Sequence, residues 1–249
     1  MLPVTITRKT AVPWLRFALR EGGRQLRALI SLRGKREARA LRYVQTHAHR
    51  GSPASVLAAL DAFARREQFL MNVGKEKGDV LRQTLMERPV RYALELGAYC
   101  GYSAVMTASK LAPQGAKLIS IEKSPVWAGI ARQVVDHAGL SAYVDIRVGT
   151  GADVIPTLDE GPFDLVFIDH LKSAYLTDLQ ALERAGKLAD GCRIVADNVG
   201  IFQESLTDYL SYVRTSPHYT SHFHPTSMEY VDEIADGVEV SVYRRQLAN

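Results

Sequence analysis

From Tyr92 onward the chain alternates short apolar runs with helical stretches, and this alternation restricts the fold more than any other feature. The runs are YALEL, KLISIE, VDIRV, FDLVFID and RIVADN, and the helical stretches between them cover 103–111, 125–138, 152–158 and 175–185. Runs apolar on both faces need cover on both sides, and strands separated by helices pair in parallel. The pattern therefore predicts an α/β fold: a mostly parallel sheet with helices on both faces. Past Asn198 a helix is expected at 205–214, then two β-like runs, HYTSHFH and VEVSVYRR, joined by 225–237. With no helix between them, these two form an antiparallel edge.

Ahead of this pattern, REARALRYVQTHAH reads as a helix, SPASVLAALDAFARREQ starts another with Ser52 as cap and Pro53 at the first helical position, and GKEKGDVLRQTLMER is a third, stopped near Pro89. The first fifty residues hold twelve Lys or Arg against two acidic residues, a net +10, while the rest of the chain carries −6. Residues 1–35 thus read as a basic amphipathic arm, with Leu15, Leu19, Leu26 and Ile30 on one face, Trp14 and Phe17 nearby, and Gly22-Gly23 breaking the helix midway. An arm of this kind suits a peripheral contact with a membrane surface; packing on a neighbouring helix or a second subunit suits it equally. No run of eighteen apolar residues exists to span a bilayer, and no signal peptide is seen. Residues 36–249 are long enough for one domain with a full core. Cys100 and Cys192 lack metal-ligand spacing and read as free thiols of a reducing, cytoplasmic compartment.

In an open α/β sheet, ligands bind beyond the carboxyl ends of the strands. Those ends carry Glu95, Glu122, Asp169 and Asp197. Carboxylates crowded without countercharge repel one another, so the site expects cations. The first turn, LELGAYCGYS, has Gly97 and Gly101 four apart and misses the dinucleotide fingerprint, and Glu95 beside it disfavours a pyrophosphate. S-adenosylmethionine, zwitterionic with a sulfonium, fits better. Glycine lets the backbone approach it, Ser103 and nearby amides can hold its carboxylate, and Glu122 can accept from both ribose hydroxyls.

Asp169, Asp197 and Asn198 are hard oxygen donors at the tips of two strands expected to be neighbours, a set that suits octahedral Mg2+. Zinc is a poor match, since His170 has no Cys or second His at ligand spacing. Lys172, three residues beyond Asp169, lies where a second positive charge disfavours the ammonium form, and it is the candidate general base on a substrate hydroxyl.

At these residues the chain resembles the catechol O-methyltransferase family, from about Arg36 to Tyr243. MNVGKEKG, LELGAYCGYSAV, IEKSP, FIDHLK, ADNV and MEYVDEIADG follow the family's order and close to its spacing. The resemblance implies a Rossmann-like fold, with a seven-stranded sheet carrying one reversed edge strand, and Mg2+-dependent methyl transfer to one hydroxyl of a vicinal aromatic diol. It makes Asp169, Asp197 and Asn198 similar to the family's metal ligands and Lys172 to its base. It also makes Glu229 similar to the glutamate that binds the second substrate hydroxyl. Val73, Glu95, Ser103, Glu122 and the backbone from Gly97 to Tyr99 resemble cofactor contacts, and His170 a histidine near adenine. The chain departs from the family where it has Gly151-Ala152, Leu171 and Phe69, and in 200–202, where a proline wall is replaced by Gly-Ile-Phe. These departures bear on cofactor affinity and on the grip around an aromatic ring.

The expected partner is a small catechol-like molecule. Two alternatives are the same chemistry on a non-catechol acceptor and a non-catalytic protein that docks through its arm. No nucleic acid is expected, because the strand-end residues include no aromatic or Arg cluster with which to stack a base.

Overall fold

In a computed structural model, which describes residues 8–30 and 35–245, seven strands form one sheet in the order β3-β2-β1-β4-β5-β7-β6. The strands are β1 (Tyr92–Leu96), β2 (Lys117–Glu122), β3 (Val144–Val148), β4 (Phe163–Ile168), β5 (Leu188–Ala196), β6 (Tyr219–Met228) and β7 (Val231–Tyr243). β1 to β5 are parallel, and β7 pairs antiparallel with both β5 and β6. The antiparallel edge expected of the last two runs is present; the reversed strand within it is β7, and β6 lies outside it.

The helices are α1 (Arg8–Ile30), α2 (Arg36–His47), α3 (Pro53–Arg66), α4 (Gly74–Met86), α5 (Tyr102–Leu111), α6 (Pro125–His137), α7 (Gly151–Val154), α8 (Tyr175–Arg184) and α9 (Thr207–Thr215). The Ser52 side chain accepts from the Ser55 amide, and the Ser124 side chain caps α6 through the Trp127 amide, each with Pro at the first helical position. One core packs α2 to α6 on one face of the sheet; the other packs α8 and α9 on the opposite face. Leu94, Leu165, Val166, Ile168 and Ile194 are fully buried. At about 1.5–3 kcal/mol per fully buried side chain of this kind, the central strands anchor the fold. Both cysteines are buried and free, as expected.

Two readings of the sequence need correction. α1 runs unbroken through Gly22-Gly23, because its inner face is held on the body: Trp14 and Phe17 pack on a small core of Phe69, Met228, Val231 and Ile234, and Glu21 accepts from the Phe69 amide at 2.9 Å. The stretch 225–237 is not a connection. β6 continues to Met228 and β7 starts at Val231, leaving Glu229 and Tyr230 as the turn, with Tyr230 at φ +61°. Pro225 is tolerated because β6 is the edge strand, where a missing N–H breaks no ladder. Ile30, expected on the apolar face of the arm, lies outside the described side chains. Among the described residues, no helix is long and apolar enough to cross a membrane.

Candidate functional site

The strand order reverses between β1 and β4, and the crevice at that switch point is framed by two backbone contacts. The Asp169 amide donates to the Leu96 carbonyl at 2.9 Å, and the Gly97 amide to the Ile121 carbonyl at 2.8 Å. Gly97 has φ +105°, and a Cβ there would stand 2.1 Å from the Asp169 carbonyl oxygen, so the close approach of the two strand ends demands glycine.

Glu95, near the end of β1, accepts from Ser120, and Ser103 in the first turn of α5 is close enough to favour its ionised form. Its other oxygen, Oε1, is buried with no partner in the protein. Burial pushes the Glu95 carboxyl up to about 7, with Asp169 and Glu122 adding to the rise and the two serines opposing it. Glu122, at the end of β2, accepts from the Tyr99 and Ser124 amides, both at 2.8 Å. Tyr99 has φ +46°, bonds Glu37 of α2 through its hydroxyl at 3.0 Å, and meets Trp127 edge to face at 5.0 Å. These bonds tie the ends of β1 and β2 to the turn that leads into α5. Val73 is buried just ahead of α4.

His170 Nε2 donates to the Asp178 carboxylate at 2.7 Å, and the ring stacks on Tyr175 with centroids 5.3 Å apart. Asp178 also explains one departure noted in the sequence: a Cβ on Gly151 would stand 2.2 Å from the Asp178 carboxylate oxygen. A bulkier residue at 151 and this position of Asp178 exclude one another.

Beyond β4 and β5 lies a buried polar cluster. The Asp169 amide extends the ladder from β1, and the Asp197 amide donates to the Ile168 carbonyl at 3.0 Å, so the two acids stand at the tips of adjacent strands. Asn198 follows at φ +59°, a left-handed position that Asn tolerates. The Lys172 ammonium donates to Asp169 at 3.2 Å, to the Asn198 side-chain oxygen at 2.9 Å and to the Tyr175 hydroxyl at 2.6 Å, and Tyr175 in turn donates to the Asp197 carbonyl. A cation is thus already seated between Asp169 and Asn198.

Two further residues, Lys77 and Asp236, complete the cluster, and the sequence reading assigned no role to either. Lys77, on α4 and 1% exposed, reaches Asp197 at 3.1 Å, Glu229 at 2.8 Å and Asp236 at 3.0 Å. Asp236 accepts from the Asn198 side-chain amide and from the Gly200 and Ile201 amides, which ties the loop after β5 to β7. Burial raises Asp197 well above the carboxylate range despite Lys77, with the neighbouring acids adding to it; burial raises Glu229 too. For Asp236 burial is overcome by Lys77, Asn198 and the Ile201 amide, and its pKa falls. Burial alone would lower Lys77, but its carboxylates hold it well above the usual lysine value. A signal for Lys77 was present: Val73, Lys77, Leu81 and Leu85 recur every four residues, so this lysine interrupts the apolar stripe of α4.

Asp169, Asp197, Glu229 and Asp236 set four acidic side chains against two ammoniums, an imbalance relieved in the metal-free protein by the raised pKa values of Asp197 and Glu229, and one that a divalent cation could relieve instead. Among the described residues no group of three or more His, Cys, Asp and Glu side chains is arranged for a metal. The available donor set is two carboxylates and one amide oxygen, all hard oxygens, which matches Mg2+ and not a softer ion.

The methyltransferase domain family model matches residues 94–199. The chain is 41% identical over 215 residues to catechol O-methyltransferase of Mus musculus, spanning 85% of this chain and 80% of that one. It is 44% identical over 222 residues to catechol O-methyltransferase B of Danio rerio, spanning 87% and 83%. Among solved structures, cofactor-bound Rv0187 from MTB superposes with a TM-score of 0.66 at 27% identity, covering 78% of this chain and 89% of that one.

Proposed function

The chain belongs to the catechol O-methyltransferase family, and from that premise we propose that it moves a methyl group from S-adenosylmethionine to one hydroxyl of a vicinal aromatic diol, with Mg2+ at the acceptor. The observation that carries the reading is the polar cluster, where Lys172 stands on Asp169 and Asn198 while Lys77 gathers Asp197, Glu229 and Asp236.

The crevice suits the methyl donor. The unpartnered Glu95 Oε1 lacks a donor that a cationic cofactor can bring, the first-turn amides of α5 with Ser103 receive its carboxylate, and Glu122 has lone pairs left for ribose hydroxyls. Asp169, Asp197 and Asn198 would hold the metal. When bound, the ion would lower the pKa of an acceptor hydroxyl. Lys172, once it has given up its own ammonium proton to solvent beside the bound positive charge, takes that proton on Nζ, with Tyr175 at 2.6 Å orienting the amine. Glu229 accepts from the second hydroxyl and so selects which oxygen faces the methyl. Tyr175, Phe202 and the buried carboxylates exclude water around the amine. Holding donor and acceptor in line is the largest contribution, worth about 7–11 kcal/mol in well-oriented systems.

The test is calorimetry with S-adenosylmethionine followed by a catechol, with and without Mg2+, together with Lys172→Ala. We expect acceptor binding only with Mg2+. We also expect turnover in Lys172→Ala to fall by at least about 100-fold, the size of a general-base contribution, with cofactor affinity unaltered. Acceptor binding indifferent to Mg2+ rules out the metal assignment, and unchanged turnover rules out the base.

The outward face of α1 supports a second element of the reading, a contact with an anionic bilayer. Val12, Leu15, Leu19 and Leu26 share this face and are exposed, Leu19 by 70%, with Arg16 and Arg20 beside them.

A further inference from the structure

We propose that Trp14 and Phe17 of α1 form the outer wall of the acceptor site and set its selectivity, an inference that rests on the acceptor reading above. The aromatic residues run in an unbroken edge-to-face series. Trp14 meets Phe17 at 5.9 Å and 85°, Phe17 meets Phe69 at 5.1 Å and 84°, and Phe69 meets Tyr230 at 6.2 Å and 84°. Tyr230 directly follows Glu229, the residue assigned to the second hydroxyl, so the backbone of the β6–β7 turn joins the series to the polar cluster, while the Tyr230 hydroxyl itself turns to Asp61 and Asn72. The same small core receives Ile201 from the loop after β5, which Asp236 ties down.

Two observations make this series a wall and not merely a core. Trp14 and Phe17 remain half-buried, so their rings keep surface to offer a ligand. Elsewhere around the acceptor the cover is uneven: Phe202 stands 5.5 Å from the Lys172 ammonium, but Leu171 is 57% exposed and Gly200 has no side chain. A helix from the other end of the chain adds further aromatic surface. That helix is fastened in place, since Glu21 accepts from the Phe69 amide and Arg24 joins Glu21 at 2.8 Å to the Arg65 carbonyl at 2.5 Å. A flat, electron-rich ring held at the cluster by two oxygens would extend toward these aromatic edges.

The experiment uses the full-length chain and the variants Trp14→Ala, Phe17→Ala, Phe17→Leu and Phe17→Tyr. KM and kcat are measured for catechol and for a bulkier vicinal diol, alongside cofactor binding by calorimetry. An edge-to-face contact is worth up to about 1.5 kcal/mol, or about tenfold in affinity. We expect the acceptor KM to rise about tenfold in Phe17→Ala and Trp14→Ala, with kcat within about twofold and cofactor affinity unchanged. Phe17→Leu keeps an apolar anchor for α1 and is expected to show the same rise, while Phe17→Tyr restores the wild-type value. The ratio of kcat/KM between the two diols shifts toward the bulkier one. Unchanged KM in the variants, or a joint loss of kcat, KM and cofactor binding, overturns this inference alone. A wild-type enzyme that methylates no vicinal aromatic diol overturns the acceptor reading and this inference with it.

Discussion

Lys77 shows how much of the site depends on one charge. It lies 1% exposed among three carboxylates, and removing one partner of a buried pair leaves the other charge uncompensated, at about 3–5 kcal/mol. Lys77→Met should therefore lower the unfolding free energy of the metal-free protein by about that amount at pH 8, measured by urea denaturation. Asp197 and Glu229 already have raised pKa values, so they take up protons as pH falls, and the deficit of the variant should shrink toward pH 5. Glu95 makes the complementary case. Its folded value of about 7 lies above the ordinary 4.5, so between those limits the folded state binds more protons than the unfolded one, and stability falls as pH rises. Glu95→Gln removes this slope. Relative to wild type it should gain at most about 3 kcal/mol between pH 4.5 and 8; parallel stability profiles for the two proteins would refute the assignment. The acids at strand ends were legible from the sequence because apolar runs stop there. Lys77 and Asp236 were not given roles, since partners 120 and more residues away become partners only when α4 and the β6–β7 hairpin close over the strand tips.

At the scale of elements, the turn after β1 is where geometry is least forgiving. Gly97→Ala would force a side chain onto the Asp169 carbonyl at a φ that L-residues rarely adopt. We expect a loss of more than about 3 kcal/mol, or no soluble protein, judged by urea denaturation and circular dichroism. Gly22→Ala is the contrasting case. Nothing lies within 4 Å of a Cβ there, and the residue is in a continuous helix, so about 1 kcal/mol of stabilisation of α1 is expected. The strand and helix runs from Tyr92 to Ala196 could be read to within a few residues, since a buried parallel strand leaves a continuous apolar signature. The hairpin was harder to read. Pro225, Gly237 and the polar run between them look like a loop, and only the edge position of β6 makes them strand. Gly22-Gly23 misled for the same reason: helix propensity is a weak term beside the docking of Trp14 and Phe17.

For the molecule as a whole, α1 faces two ways. Its inner side is committed to the body, and its outer side carries Val12, Leu15, Leu19 and Leu26 in a row beside arginines, on the most basic part of the chain. Wild-type protein should co-sediment with vesicles containing anionic phospholipid and far less with zwitterionic ones, and Leu19→Glu should weaken the association at unchanged stability. Equal binding to both vesicle types would exclude an electrostatic contribution. The sequence alone determined the α/β class, the order of elements, the acids at the mouth of the sheet and the family, because each is written in local patterns of polarity and spacing. The tertiary structure alone decided that Lys77 is the internal counterion, that Asp178 excludes a side chain at Gly151, and that a helix from the start of the chain packs on Phe69 and the β6–β7 hairpin. Those facts depend on which distant segments the packing brings into contact, and no local pattern encodes that.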